Sequence, residues 1–261
     1  MLISLLGKRA LVGGSSQGIG KAIAFQLAHS GASVTLMARN EEKLQRIVGS
    51  LPSEQGQKHD YLLVDFDDFE AYRDNIKGYF QEHKFDILVN NTQGPKAAGS
   101  LELEVEDYQQ AFDTLFKTVV LTTQLALEHM IAQRWGRIIN VTSISVKEPL
   151  TYLALSNTIR ASVVTWAKTL SRDVAQHQVT VNNILTGYFD TERIAQLNAK
   201  KAEQLGIKPE EVRASMEEQV PMKRIGKPEE YGALVAFLAS DQASYLTGSN
   251  IPLDGGLLKS F

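Results

Sequence analysis

Gly14, Gly18 and Gly20 stand in "VGGSSQGIGKAIAFQLA", between an apolar strand-like run and a helical pattern. Without a Cβ, the backbone there can turn tightly and come close to a pyrophosphate. The helix that follows would offer free N–H groups and the positive end of its dipole to the phosphates. Ser16, Gln17 and Ile19 lie in the same loop and share that position. The spacing is G-x-x-x-G-x-G, and its place after a strand and before a helix points to a nucleotide rather than to a bare turn. Arg39 follows Ala38 at the end of the second apolar run, where an acid would otherwise hold a ribose 2′-hydroxyl. A guanidinium there can grip a 2′-phosphate with its planar fork, so NADP(H) is expected over NAD(H). Asp65, ending "YLLVD", is placed to accept from the adenine amino group, and Asp67 and Asp68 are expected to start the next helix. "LVNNTQG" brings Asn90, Asn91 and Gly94 to a strand end where backbone would pass close to the cofactor.

Other chemistries are excluded by composition. There is no cysteine, hence no disulfide, thiolate nucleophile or zinc–thiolate site. The histidines at 29, 59, 83, 129 and 177 show no ligand spacing, so no metal is expected. A net charge of −3 argues against nucleic acid as a partner. No apolar run approaches the roughly 20 residues of a membrane span. The start, "MLISLLGKRALVGG", runs straight into a strand pattern, and a cytoplasmic location is expected.

The elements that must position these residues alternate. Strand-like runs at 8–14, 33–39, 60–66, 86–91, 136–143, 179–187 and 249–256 are separated by helical patterns at 18–29, 68–83, 104–133 and 150–176, with "NEEKLQRIVGS" after the second run. The runs are dense in Val, Ile and Leu without strict alternation, as in strands covered on both faces. Strand–helix alternation implies an α/β fold with a doubly wound parallel sheet. No linker or repeat interrupts it, so one domain over 1–261 is expected. The polar, helical stretch 188–220 is an insertion between two strands, and "GIKPEE" inside it marks a turn and a fresh helix start. Such a segment beside strand ends could act as a lid.

Together these pieces resemble the short-chain dehydrogenase/reductase family nearly end to end. The resemblance is carried by "GGSSQGIG", "VDFDD", "LVNNTQG", "GRIINVTS", "VNNILTGYFDT", "RIGKPEE" and "SYLTGSNIPLDGG", the last three closest to the 3-oxoacyl-acyl-carrier-protein reductase branch. It implies a Rossmann-type sheet of about seven strands, a nicotinamide cofactor, and a homotetramer or homodimer with the two long helices in the interface. The second long pattern is apolar nearly all round, at Leu153, Ile159, Val163, Val164, Trp166 and Leu170, which fits a second partner.

Carried over residue by residue, the family's chemistry is altered. Ser143 matches the serine that hydrogen-bonds the substrate carbonyl. The tyrosine and lysine positions in "YLALSNTIRAS" hold Ser156 and Arg160, and the asparagine position holds Leu115. Thr191 matches the residue that holds the nicotinamide amide. Thr186 replaces a usual proline, Gly13 a usual threonine and Gln17 a common arginine. Serine is a far weaker acid than a phenol, and Arg160 keeps a charge that can reach a ribose hydroxyl but cannot shuttle a proton. Tyr152 and Tyr188 are the stand-ins to examine, Tyr152 sharing a helical face with Ser156 and Arg160 but one turn early. Two readings follow. One is an NADP(H)-dependent carbonyl reductase or alcohol dehydrogenase acting on a small molecule through Ser143, Ser156 and Arg160. The other is an inactive cofactor-binding sensor or oligomer subunit.

Overall fold

A computed structural model describes residues 3–260. Seven strands form one sheet: β1 Arg9–Gly13, β2 Ser33–Ala38, β3 Asp60–Leu63, β4 Ile87–Asn90, β5 Gly136–Val141, β6 Val179–Thr186 and β7 Asn250–Leu253. Their order is β3-β2-β1-β4-β5-β6-β7. Every pairing is parallel, with Leu11 opposite Thr35 on one side and Leu88 on the other. The helices are α1 Gly18–His29, α2 Glu41–Val48, α3 Phe69–Glu82, α4 Val105–Phe112, α5 Thr118–Ala132, α6 Ala154–Val174, α7 Glu192–Leu205, α8 Pro209–Gln219 and α9 Pro228–Ala239.

Side chains of successive strand residues point to opposite faces, and here both faces are apolar. Ala10, Val12, Ile87, Val89, Ile139 and Ile184 pack with α1, α2 and α9 through Ile23, Leu27, Leu44 and Val235. Their chain neighbours Leu11, Leu88, Ile138 and Val181 pack on the other side with Tyr72, Ile76, Met130 and Ala167 of α3, α5 and α6. This is the physical source of the dense Val/Ile/Leu runs.

Two expected helices differ in detail. The long helix expected near 104–133 runs from Val105 to Ala132, with a π-helical stretch, Asp113–Lys117, between α4 and α5. The pattern from 150 implies a helix start there, but α6 begins at Ala154 after Leu153, whose φ is −127°. Residues before it form a turn. The apolar period extends back past the first residue able to hold helical backbone.

Chain order reverses beside β1: β2 and β3 lie on one flank and β4 on the other. A crevice opens at the carboxyl ends of strands at such a point.

Candidate active site

The carboxyl ends of β2, β1, β4, β5 and β6 line one cleft of about 740 Å³. That is within the ~300–1,000 Å³ usual for ligand sites. Gly14, Ser16, Gln17, Gly18, Ile19, Gly20, Arg39, Asn91, Ser143, Ser156, Arg160 and Thr191 all lie on its wall. Gly14 and Thr191, 177 positions apart in the chain, thus lie on one wall. Asp65 is the exception and is not on the wall.

The glycine end is made of backbone. The first turn of α1 has no side-chain cap at Gln17 and no acid. By contrast α2, α3 and α7 are capped by Asn40, Asp68 and Thr191, which accept N–H groups of Lys43, Ala71 and Ile194. The N–H groups opening α1 are therefore left for an anion. Gly18 has φ +54°, and a Cβ there would lie 3.2 Å from Thr191 Cγ2. A Cβ at Gly20 would be 2.2 Å from the Gly14 carbonyl oxygen. Asn91 braces this loop, its Nδ2 donating to the carbonyls of Gly13 at 3.0 Å and Gly14 at 3.4 Å. The donor set, the missing cap and the space a side chain would fill fit a dinucleotide pyrophosphate.

At the next strand end, Arg39, Asn40 and Lys43 face the cleft. Arg39 Nη1 lies 3.7 Å from both Asp65 Oδ1 and Asp67 Oδ2. Lys43 Nζ donates to Gln17 Oε1 at 3.0 Å. Asp65 therefore reaches the cleft only through Arg39. The expectation for Asp67 is corrected: Asp68 alone caps α3, while Asp67 accepts from Thr114 Oγ1 at 3.1 Å and from Gln93. Two adjacent acids cannot both occupy one cap, and the ion pair with Arg39 draws Asp67 the other way.

The far end is made of side chains. Ser143 follows β5, and its Oγ accepts the Ser145 N–H at 3.1 Å, leaving its own proton free to donate. Ser156 and Arg160 stand one turn apart on α6. Ser156 is 7 % exposed, at the cleft wall. Arg160 is partly buried, and its Nη1 donates to the Val141 carbonyl at 2.6 Å. Burial pushes the Arg160 pKa down, opposed by the nearby Tyr231. Tyr231, wholly buried on α9, hydrogen-bonds Thr186 at 2.9 Å beneath the cleft. Sequence reading missed it, because nothing local to "PEEYGALVAFLA" distinguishes a polar role from a core tyrosine.

Tyr152 does not share the α6 face with Ser156, since it precedes the helix, and neither it nor Tyr188 lines the cleft. Burial and Tyr188 push its phenol up to about 12, away from acid catalysis near neutrality. Leu115 lies in the π-helical stretch, 2 % exposed, clustered with Ala111, Leu155 and Ile159.

A second unforeseen feature is a ladder of asparagines at matched register under this end. Asn90 Nδ2 donates to Asn140 Oδ1 at 2.9 Å, Asn140 to Asn183 at 2.8 Å, and Asn183 to Asn250 at 2.7 Å. The signal was present, as an asparagine in each of four strands with two in β6, but only the register shows which of them meet.

The 188–220 insertion folds as α7 and α8, with the turn at Gly206 (φ +66°) and Pro209 opening α8. Thr191 to Ile194, Gln196 and Leu197 face the cleft, and Arg193 Nη2 donates to the Pro95 carbonyl at 3.1 Å across it.

A family model described as enoyl-(acyl carrier protein) reductase matches residues 14–258. The chain belongs to the short-chain dehydrogenase/reductase family. It is an oxidoreductase of that family, and its curated relatives carry the corresponding names. The 3-oxoacyl-[acyl-carrier-protein] reductase FabG of Aquifex aeolicus is 31 % identical over 98 % of this chain and 100 % of its own. The NADPH-dependent reductase BacG of Bacillus subtilis is 30 % identical over 97 % of this chain and 98 % of its own. The L-sorbose reductase of Gluconobacter frateurii, solved with NADPH and L-sorbose, superposes with a TM-score of 0.92 at 30 % identity over the whole of both chains. Among the described residues of this reductase, no helix is long and apolar enough to cross a membrane. Nor do three or more His, Cys, Asp or Glu side chains gather to hold a metal ion.

Proposed function

We propose that the chain is an NADP(H)-dependent reductase of a small carbonyl compound that works without the family's tyrosine and lysine. The observation that carries this reading is a single cleft in which an open glycine-loop helix end and Arg39 lie along one wall from Ser143, Ser156 and Arg160. When bound, the dinucleotide supplies the hydride. The α1 N–H groups hold its pyrophosphate, Arg39 with Lys43 holds the 2′-phosphate, and Asp65 and Asp67 keep Arg39 in place. Thr191 and Asn91 border the nicotinamide side. NADPH is the named partner of BacG and of the sorbose reductase, in agreement with Arg39.

The Ser143 hydroxyl donates to the substrate oxygen. Ser156, on the helix facing it, passes a proton drawn from water. The fixed charge of Arg160 stabilises the developing oxyanion, which a preorganised cation does most strongly in a cleft poor in water. Proton delivery is the weak step, since a positioned general acid contributes roughly 10²–10⁴ in rate. The segment 188–220 acts as the lid, latched by Arg193 on Pro95. Chains associate as homodimers or homotetramers through α5 and α6, where Ala161, Thr165, Trp166 and Thr169 line an open hollow.

The test is stopped-flow oxidation of NADPH against a panel of ketones, aldehydes and oxo acids, with sedimentation velocity on the same sample. Turnover lost in Ser143→Ala supports the reading. NADPH binding without oxidation by any carbonyl rejects it.

A further inference from the structure

We infer that Arg160 and Ser156 form a subsite for a carboxylate, beside the reacting carbonyl held by Ser143, so that the substrate is a carbonyl compound carrying a carboxylate close to the reacting carbon. The inference rests on the reductase reading of this cleft and names its substrate class. Arg160 is a partly buried guanidinium, and its only hydrogen bond is to the neutral carbonyl of Val141. Among the described residues no carboxylate pairs with it, whereas Arg39, Arg213 and Arg224 each have an acid partner. The one electrostatic neighbour noted for it is the phenol of Tyr231, and that group is neutral, since burial raises its pKa. A buried cation without a counter-charge is unfavourable unless a ligand supplies one.

The cofactor's pyrophosphate does not fill that need. Arg160 is held at the end of β5, and the glycine loop follows β1. Two strand spacings, about 10 Å, separate them. A ribose hydroxyl is close enough in kind to the lysine's usual partner but carries no charge. Glu192, the acid on the cleft wall, lies against Gly18 at the β1 end.

The neighbours of Arg160 complete an oxyanion site. Ser156 is more than nine-tenths buried, lines the cleft, and its hydroxyl has no hydrogen-bond partner among the described residues. Ser143 keeps a free donor for the adjacent carbonyl oxygen. A planar guanidinium fork matches a carboxylate through two parallel bonds, and a hydroxyl can take a remaining lone pair. The small Ser156 side chain leaves the space such a group needs.

The experiment is calorimetric titration of the full chain saturated with NADP+, using 2-oxo and 3-oxo acids and their methyl esters. Acids are expected to bind at least tenfold more tightly than their esters. Arg160→Gln should bring the ratio near one, and Arg160→Lys should keep part of it. An effect on cofactor seating would weaken acid and ester alike and leave the ratio intact. Equal binding of acids and esters by the wild type, or no binding of any acid, overturns the inference, as does an unchanged ratio in Arg160→Gln. The wild-type ratio decides even if the variant fails to fold. Acid selectivity without hydride transfer in a parallel absorbance assay sinks the reductase reading while leaving the carboxylate subsite standing.

Discussion

The two ends of the cleft are built from different materials. At the glycine end, recognition is by backbone: helix N–H groups, loop carbonyls braced by Asn91, and the absence of side chains at Gly18 and Gly20. At the far end it is by side chains, Ser143, Ser156 and Arg160, on a strand end and a helix that keep their positions whatever residues they carry. Backbone recognition depends on the fold and persists with it. Side-chain chemistry can be exchanged residue by residue while the frame stays. Under the proposed function, this is how a cofactor cleft of the family's kind can stand beside a reaction centre with other side chains.

The comparison breaks most visibly if the far end cannot be converted. Ser156→Tyr with Arg160→Lys should raise single-turnover hydride transfer to neutral ketones by roughly 10²–10⁴. The new phenol would project from the cleft wall into open space. An unchanged rate would show that the frame, not only the side chains, has diverged. Adding Leu115→Asn should not help: it places an amide in the cluster with Leu155 and Ile159 and should cost about 2–4 kcal/mol in denaturant unfolding.

Gly18→Val attacks the other end. A branched Cβ at φ +54° crowds Thr191 and the phosphate path. NADPH affinity should fall roughly 10²-fold with the circular dichroism spectrum retained. Unaltered affinity in a folded variant would reduce the loop to a turn.

Asn140→Ala tests the floor beneath the far end. It strands the Asn90 amide and the Asn183 carbonyl. The expected loss is about 2–3 kcal/mol of unfolding free energy, read from urea titration. A loss within a few tenths would mean that water replaces the ladder.

Arg39→Asp should turn the cofactor preference from NADPH to NADH by about tenfold, the scale of one charge-assisted fork. Equal affinity of the wild type for both cofactors, by calorimetry, would contradict the role given to Arg39.

The smallest effect lies outside the cleft and serves as a control. Burial pushes the Asp86 carboxyl up, but hydrogen bonds from Gln133, the Arg9 N–H, His129 and the Arg9 guanidinium outweigh it and hold the pKa below its usual value. A carboxyl depressed in the folded state adds stability that is complete above its unfolded pKa of about 3.9 and is lost as pH falls through the folded value. The Tm gap between wild type and Asp86→Asn should stay constant from pH 8 to 5 and shrink below about pH 4. A gap that widens in acid would reverse the sign assigned to this group.

Much of this molecule was legible in the chain itself. The apolar runs marked all seven strands, because the central strands are covered on both faces and are dense in Val, Ile and Leu. "GIKPEE" marked the α7–α8 turn, because a left-handed glycine and a proline at a helix start are local backbone requirements. That Ser143, Ser156 and Arg160 share one cleft could be proposed by counting; that all three lie on its wall is seen only in the fold. Side-chain partners could not be found by counting. Tyr152 left the face of α6 because the helix starts two residues after it, and Asp67 turned from the cap of α3 to Arg39. The Tyr231–Thr186 contact and the asparagine ladder join residues 45 and 43 to 67 positions apart. Periodicity and backbone preference are energies of neighbours along the chain, so sequence alone determined the elements, their order and the glycine loop. Hydrogen bonds and charge pairs between distant elements depend on strand register and helix packing, and these only the tertiary structure decided.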